Sequence, residues 1–330
     1  VFGGVVMIKS YNELWHSHEN SWFKTEQISP DFNSKDYLLV KPSYSLVSLG
    51  TEKLVISNKI QLSTEERMRI PHMKGSFQDT FTYGYSLVGE VIEGPDSYVG
   101  NHVHLLHPHQ DLALVHVEDA FIIPDQVTLR ASTLASNMET AVNAIWDSEI
   151  TLGDNVLIVG YGIIGALVAL IAKDFPGVSV KILEINKERA QKAKKHGHDV
   201  ISIAPDEAYD IVFNTSGKGA GLQVAIDSVR VEGKVVELSW YGSKRIEVNF
   251  GDSFHYGRKK IISSQVSKIP SHKLSNWDFT KRKKMVFDLL SKHQPDYLID
   301  KEIAYEEAPE FFNELRNNPT DNIGVIIKYK

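Results

Sequence analysis

Cysteine is absent from all 330 residues. Without thiols the chain has no disulfide, no thiolate metal site and no cysteine nucleophile. Long apolar runs are also missing. No stretch approaches the length of a membrane-spanning helix, and the first residues lack the charged-then-apolar pattern of a signal peptide. Positive charge is in the minority, with 36 Lys and Arg against 42 Asp and Glu, for a net charge of −6. Nucleic-acid binding depends on clustered basic charge, so this balance argues against such a partner. Two basic runs, Arg258-Lys259-Lys260 and Lys281-Arg282-Lys283-Lys284, abut apolar residues and read as solvated turns or helix faces. Repeats and low-complexity linkers do not occur. The expectation is a cytoplasmic protein with neither nucleic acid nor membrane as partner.

What is present is ordinary globular material, 42% hydrophobic and 24% charged, in a chain long enough for two cores. The first 135 or so residues hold short apolar runs (37–40, 86–92, 112–117) separated by Pro, Gly and Asp. That punctuation predicts a compact barrel of short strands. Residues 133–149 show helical spacing. The pattern then alternates, with strands at 155–159, 178–183, 210–214, 234–238 and 260–265 and helices at 163–173, 187–196 and 221–230 between the earlier ones. Such alternation predicts βαβ units and a parallel sheet covered on both faces. Helices at 281–292 and 308–317 and a strand at 323–328 close the chain.

Gly160-Tyr161-Gly162-Ile163-Ile164-Gly165 follows the first of the alternating strands and opens a helix. Three glycines in that context carry distinct duties. Gly160 permits a tight turn, Gly162 lets the backbone approach a pyrophosphate, and Gly165 lets helix and strand pack closely. The helix start at Ile163 and Ile164 presents unpaired N–H groups to phosphate. Glu184 ends the next strand, where a carboxylate can accept from an adenosine ribose. NAD is therefore expected over NADP, a preference that nearby Lys187 and Arg189 weaken without reversing. Two other readings stay open: a dinucleotide-binding protein without turnover, acting as redox sensor or structural component, and a methyltransferase using S-adenosylmethionine.

With these motifs placed, the chain from about Tyr37 onward resembles the medium-chain dehydrogenase/reductase superfamily. Ser48-Leu49-Gly50-Thr51-Glu52 is similar to its Cys-Gly-(Ser/Thr)-Asp motif, Tyr83-Gly84-Tyr85-Ser86 to its Gly-His-Glu motif, and Val99-Gly100-Asn101-His102-Val103 to its Val-Gly-Asp-Arg-Val. The Gly-Thr-Glu element is similar to the branch containing bacteriochlorophyllide a dehydrogenase. The resemblance implies a GroES-like β-barrel domain from 1–136 and 267–330, a Rossmann domain from 137–266, and an active site in a cleft between them. It further implies a homodimer formed through the strand at 261–266, and a small-molecule alcohol, carbonyl or activated alkene as substrate.

The departures imply a zinc-lacking member. Leu49 stands at the family's zinc-binding cysteine, Tyr85 at its histidine, and the third ligand falls near Ala135-Ser136; the cysteine-rich lobe for structural zinc is missing. Carried over by position, Thr51 takes the proton-relay hydroxyl, Tyr85 faces the nicotinamide pocket and His107 lines the substrate pocket, its ordinary titration range suiting acid–base work. Glu52 and Glu139 are candidate supporting carboxylates. Thr215, Ser239 and Trp240, on loops after the third and fourth strands, join the cofactor residues. Alternation puts His107, His109 and Asp111 on one side of an extended chain, which leaves open a divalent-ion site unrelated to the family's zinc.

Overall fold

The computed structural model describes residues 9–29 and 32–330. They fall into two units, one holding the described residues up to Ser136 together with 290–320 and 324–330, the other holding 137–289 and 321–323.

The first unit is mainly antiparallel. Its strands are β1 (Lys9–His16), β2 (Ser21–Ile28), β3 (Tyr37–Val47), β4 (Phe81–Thr82), β5 (Leu87–Glu93), β6 (His102–Leu105), β7 (Ala113–His116) and β8 (Ala120–Ile122). β1 pairs with β2 and β4 in a three-stranded sheet. The hairpin turn is held by Ser17 Oγ, which accepts from the backbone N–H of Glu19 and Asn20. The larger sheet runs from β3 through β5 and β6 to β8, with β7 also on β3. β3 continues past Pro42, where proline would interrupt a regular ladder. The pairing register shifts between Pro42 and Tyr44, so the strand keeps its partner by bulging.

In the second unit β9 (Asn155–Val159), β10 (Ser179–Leu183), β11 (Asp199–Ile201), β12 (Tyr209–Asn214), β13 (Val229–Glu237) and β14 (Lys260–Ser263) form one sheet, ordered β11-β10-β9-β12-β13-β14. Every pairing in it is parallel. Val156, Leu157 and Ile158 are wholly buried, as helices on both faces of a parallel sheet require. The chain builds outward from β9 to β11, then returns to lay β12 against the other side of β9. That reversal leaves a crevice at the carboxyl ends of β9 and β12, the usual ligand position in such sheets. Finally β15 (Ile299–Ala304) and β16 (Gly324–Lys328) add to the first unit, β16 pairing with β3.

Two expectations need correction. The segment 267–289, assigned by resemblance to the first domain, falls in the second unit. The cause lies in the second basic run, only half of which is solvated: Lys281 and Lys284 are exposed, as expected, but the two residues between them are not. Within the helix Phe279–His293, Arg282 and Lys283 are buried and both pair with buried Glu139, and Arg282 also donates to Asn143 Oδ1 at 2.7 Å and to Val266 O at 2.8 Å. Charges removed from water demand this kind of compensation. Lys259 in the first run is likewise buried, donating to Ile226 O and Ser253 Oγ at 2.9 Å each. Among the described residues no helix is long and apolar enough to cross a membrane.

Candidate active site

Backbone geometry builds one part of the site. After β9 the chain turns at Gly160, whose φ of +98° is a left-handed conformation that favours glycine. Thr215, just past β12, donates its hydroxyl to Val159 O and Gly160 O at 3.0 and 3.1 Å, tying the ends of the two strands together. At Gly165 a Cβ would lie 2.2 Å from Gly160 O, so only glycine lets the helix Ile163–Ala172 approach the turn this closely. Gly162 caps that helix without any side-chain acceptor, and a Cβ there would meet nothing within 4 Å. The first N–H groups of the helix are therefore left without a side-chain cap, an arrangement that fits a phosphate of a dinucleotide.

Glu184 is partly buried past the end of β10. Its two oxygens accept from the backbone N–H of Tyr161 and of Asn186, each at 2.7 Å. These bonds fix the carboxylate beside the glycine turn while leaving it lone pairs for a further donor. Lys187 is exposed at the start of the next helix, which Asn186 caps by accepting from Arg189 N at 3.0 Å. Ser239 Oγ accepts from Gly217 N at 3.0 Å, tying the loops after β12 and β13 together, and Trp240 beside it is partly buried. The sequence reading misses the centre of this tie. Glu237 accepts from Asn214 Nδ2 at 2.8 Å, Ser239 N at 2.7 Å and Tyr241 Oη at 3.0 Å. Burial first, and the Glu237 charge second, push the Tyr241 phenol up.

In the first unit side chains do the building. The helix Thr51–Ile56 begins directly after Gly50. Tyr85 donates to Ser48 Oγ, and burial pushes its phenol up to about 12 even though hydrogen bonding with Ser48 and Thr51 pulls the other way. Thr51 and Tyr85, far apart in sequence, thus meet with Ser48 in one hydroxyl cluster. Beneath it Glu52, 1% exposed, accepts from Ser48 N at 2.7 Å and pairs with His109 Nε2 at 3.0 Å. His109 Nδ1 lies 2.7 Å from Ser45 Oγ, itself 2.9 Å from Tyr329 Oη. The His109 ring also explains Gly84, where φ is +130° and a Cβ would stand 2.8 Å from His109 Nε2.

His107 belongs to a different neighbourhood. It is 3% exposed, its Nδ1 lies 2.9 Å from Pro108 O, and its ring stacks on His72 with centroids 4.8 Å apart. Burial lowers its pKa to about 3, so near neutral pH the ring is an uncharged acceptor rather than an acid. Asp111 accepts from Asn12 N and Nδ2. His107, His109 and Asp111 are thus committed to three separate sets of partners. Among the described residues no group of three or more His, Asp or Glu could hold a metal ion.

No protein-family model matches the chain. It is 22% identical over 255 residues to D-guloside 3-dehydrogenase of Shigella flexneri, a match covering 70% of this chain and 73% of that protein. The L-idonate 5-dehydrogenase structure from Escherichia coli str. K-12 substr. MG1655 superposes with a TM-score of 0.78 at 14% identity, covering 98% of this chain and 99% of that one. The acetophenone reductase of Geotrichum candidum NBRC 4597, solved in complex with NAD, gives a TM-score of 0.75 at 15% identity, with 98% of each chain covered. The fold is α/β, a GroES-like β domain with a Rossmann domain.

Proposed function

We propose that the chain is an NAD(P)-dependent oxidoreductase of the medium-chain dehydrogenase/reductase type, interconverting an alcohol with a carbonyl, or reducing an activated alkene, without catalytic zinc. The observation that carries this reading is the Gly160–Gly165 turn: a helix start capped by glycine with no side-chain acceptor, with a carboxylate fixed at its side. The named activity of the relatives supports it. When bound, the nicotinamide gives or takes the hydride. Every other task falls to the chain. The N–H groups of Ile163 and Ile164 would hold phosphate, and Glu184 the adenosine ribose. A 2′-phosphate beside Glu184 would meet like charge, which favours NAD, while Lys187 stands near enough in sequence to soften the preference.

The family's zinc does not fit here. Leu49 has no lone pair to give, and Tyr85 and Ser136 supply neutral hydroxyls already engaged, Tyr85 with Ser48 and Ser136 with Tyr85 O at 2.7 Å. Polarisation of a substrate oxygen then rests on hydrogen-bond donors. Tyr85 keeps its proton at neutral pH and would have to turn it from Ser48 Oγ to a substrate oxygen to donate it, with Thr51 as the adjoining hydroxyl. His107 enters as a pocket acceptor. We further propose a homodimer, paired through β14 at the edge of the parallel sheet.

A thermal-shift and calorimetric titration of the full chain with NADH and NADPH tests the cofactor assignment. NADH raises the melting temperature, and more so than NADPH. Indifference to both nucleotides ends the proposal, and saturable binding of S-adenosylmethionine in their place would replace it with a methyltransferase.

A further inference from the structure

A cleft of about 470 Å³ opens within the first unit, lined among others by Tyr11, Glu13, His72, Lys74, His107 and Gln110. The site needs nothing from the second unit. Glu13 is wholly buried, with Oε2 accepting from Trp15 Nε1 at 2.9 Å and Oε1 accepting from Tyr11 Oη at 3.0 Å and from Lys74 Nζ. A buried carboxylate this fully engaged is not waiting for a ligand. Its work is to hold the ammonium, whose charge it balances. Lys74 Nζ also reaches Tyr11 Oη at 3.4 Å, and its side chain is 48% exposed. Two of its three protons are thereby directed at protein oxygens, and the third is uncommitted.

The second polar group is His107. The carbonyl of Pro108 can only accept, so Nδ1 carries the ring proton and Nε2 carries the lone pair. Nε2 makes no hydrogen bond among the described residues, although the ring is 3% exposed and stacked on His72. One cleft thus offers a fixed acceptor without a partner and a cationic donor with a proton to spare.

That pair selects its ligand. A carboxylate would satisfy Lys74 but brings no proton for the imidazole lone pair at neutral pH, and a phosphate, which can bring a P–OH, adds negative charge where the buried Glu13 carboxylate already balances Lys74. An ammonium would face Lys74 directly, and a hydrocarbon would leave both groups unpaired. Hydroxyls donate and accept at once. We propose that this cleft binds neutral polyhydroxylated small molecules, one hydroxyl donating to His107 Nε2 and another accepting from Lys74 Nζ.

D-Sorbitol titrated into the full chain without nicotinamide nucleotide, and followed by side-chain nitrogen NMR of the histidines, tests the assignment. The expected result is saturation, with the His107 Nε2 resonance moving in the direction of a lone pair accepting a hydrogen bond. Lys74→Met then weakens binding about tenfold, the equivalent of about 1.4 kcal/mol, and Lys74→Arg restores most of it. 1-Butanol does not saturate, and inorganic phosphate does not displace sorbitol. An unmoved His107 resonance in the wild-type chain overturns the proposal, whatever the variants do. Saturation by 1-butanol at equal strength makes the cleft merely apolar, and displacement by phosphate makes it an anion site. Since no nucleotide is present, failure of the cofactor assignment leaves this outcome untouched.

Discussion

The glycine turn of the second unit and the hydroxyl–histidine network of the first are built by opposite means. The turn is made of main chain: N–H groups, carbonyls and the absence of Cβ atoms, all within a few residues. The network is made of side chains drawn from Ser45, Ser48, Glu52, Tyr85, His109 and Tyr329, and no two of its bonded partners share a strand. A main-chain site tolerates change everywhere except where a side chain would intrude. A side-chain network fails wherever one member is removed, because the remaining members are left buried without partners.

The sharpest way to break this contrast is Glu52→Ala. It leaves His109 Nε2 and Ser48 N unpaired at buried positions. The expected loss is about 4 kcal/mol, measured by urea unfolding. Glu52→Gln keeps an acceptor for Ser48 N and should recover at least half. If Glu52→Ala is neutral, the network is ornament and the contrast falls.

The turn offers a paired test of lesser size. Gly165→Val drives a side chain into Gly160 O and should cost about 3 kcal/mol by the same assay. Gly162→Val meets open space at a φ of −81°, so its stability should change by less than about 0.5 kcal/mol. Its NADH affinity should nonetheless fall at least about a hundredfold in calorimetry, equal to about 2.7 kcal/mol. Equal damage to stability and binding at both glycines would mean that the turn serves packing alone.

The same contrast decides what could be read without a structure. Gly160, Gly162, Gly165 and the strands that carry them are legible because main-chain requirements leave a local residue pattern, and the alternation of strands and helices carries them to the edge of a parallel sheet. Glu184 follows from the same pattern. In the first unit, Ser45 and Tyr329 meet across 284 residues, and nothing local in either segment announces the other. Family resemblance singles out Thr51, Tyr85 and Glu52, and the structure brings them together, but neither Ser45 nor His109 can be assigned a partner that way. Burial misleads in two further places. Arg282 and Lys283 sit in a run that looks solvated, yet Glu139 waits far upstream to receive them. His107 has the chemistry of a near-neutral acid only until the lowered pKa of its buried ring is counted.

That burial has a measurable consequence in the first unit. His107 holds a pKa of about 3 in the folded chain against 6.5 as its ordinary value. Between those values the unfolded chain binds the proton and the folded chain does not, so stability rises with pH through this window and is lost as pH falls through it. Between about pH 6.5 and 5 the group should remove about 2 kcal/mol. His107→Gln, which cannot titrate, should flatten that part of the stability–pH curve. His16 and His198, also lowered by burial, keep the remaining slope in both proteins. An identical acid limb in the variant would mean the ring is more hydrated than its 3% exposure implies.

The smallest effect is the most specific. Glu184 is a side chain serving a main-chain site, and its two bonds are to backbone N–H groups at a partly exposed position. Water can replace it there, so Glu184→Ala should cost only about 1 kcal/mol in stability. The informative readout is the ratio of affinities. On the ribose role proposed for Glu184, losing the carboxylate removes an acceptor from NADH, and it removes a repulsion from NADPH while Lys187 and Arg189 remain nearby in sequence. NADH binding should weaken about tenfold and NADPH binding should hold or tighten, so the preference moves toward NADPH with little change in fold. A uniform weakening of both nucleotides would instead show the carboxylate to be a brace for the Tyr161 turn, reached by the ligand only through the backbone it steadies.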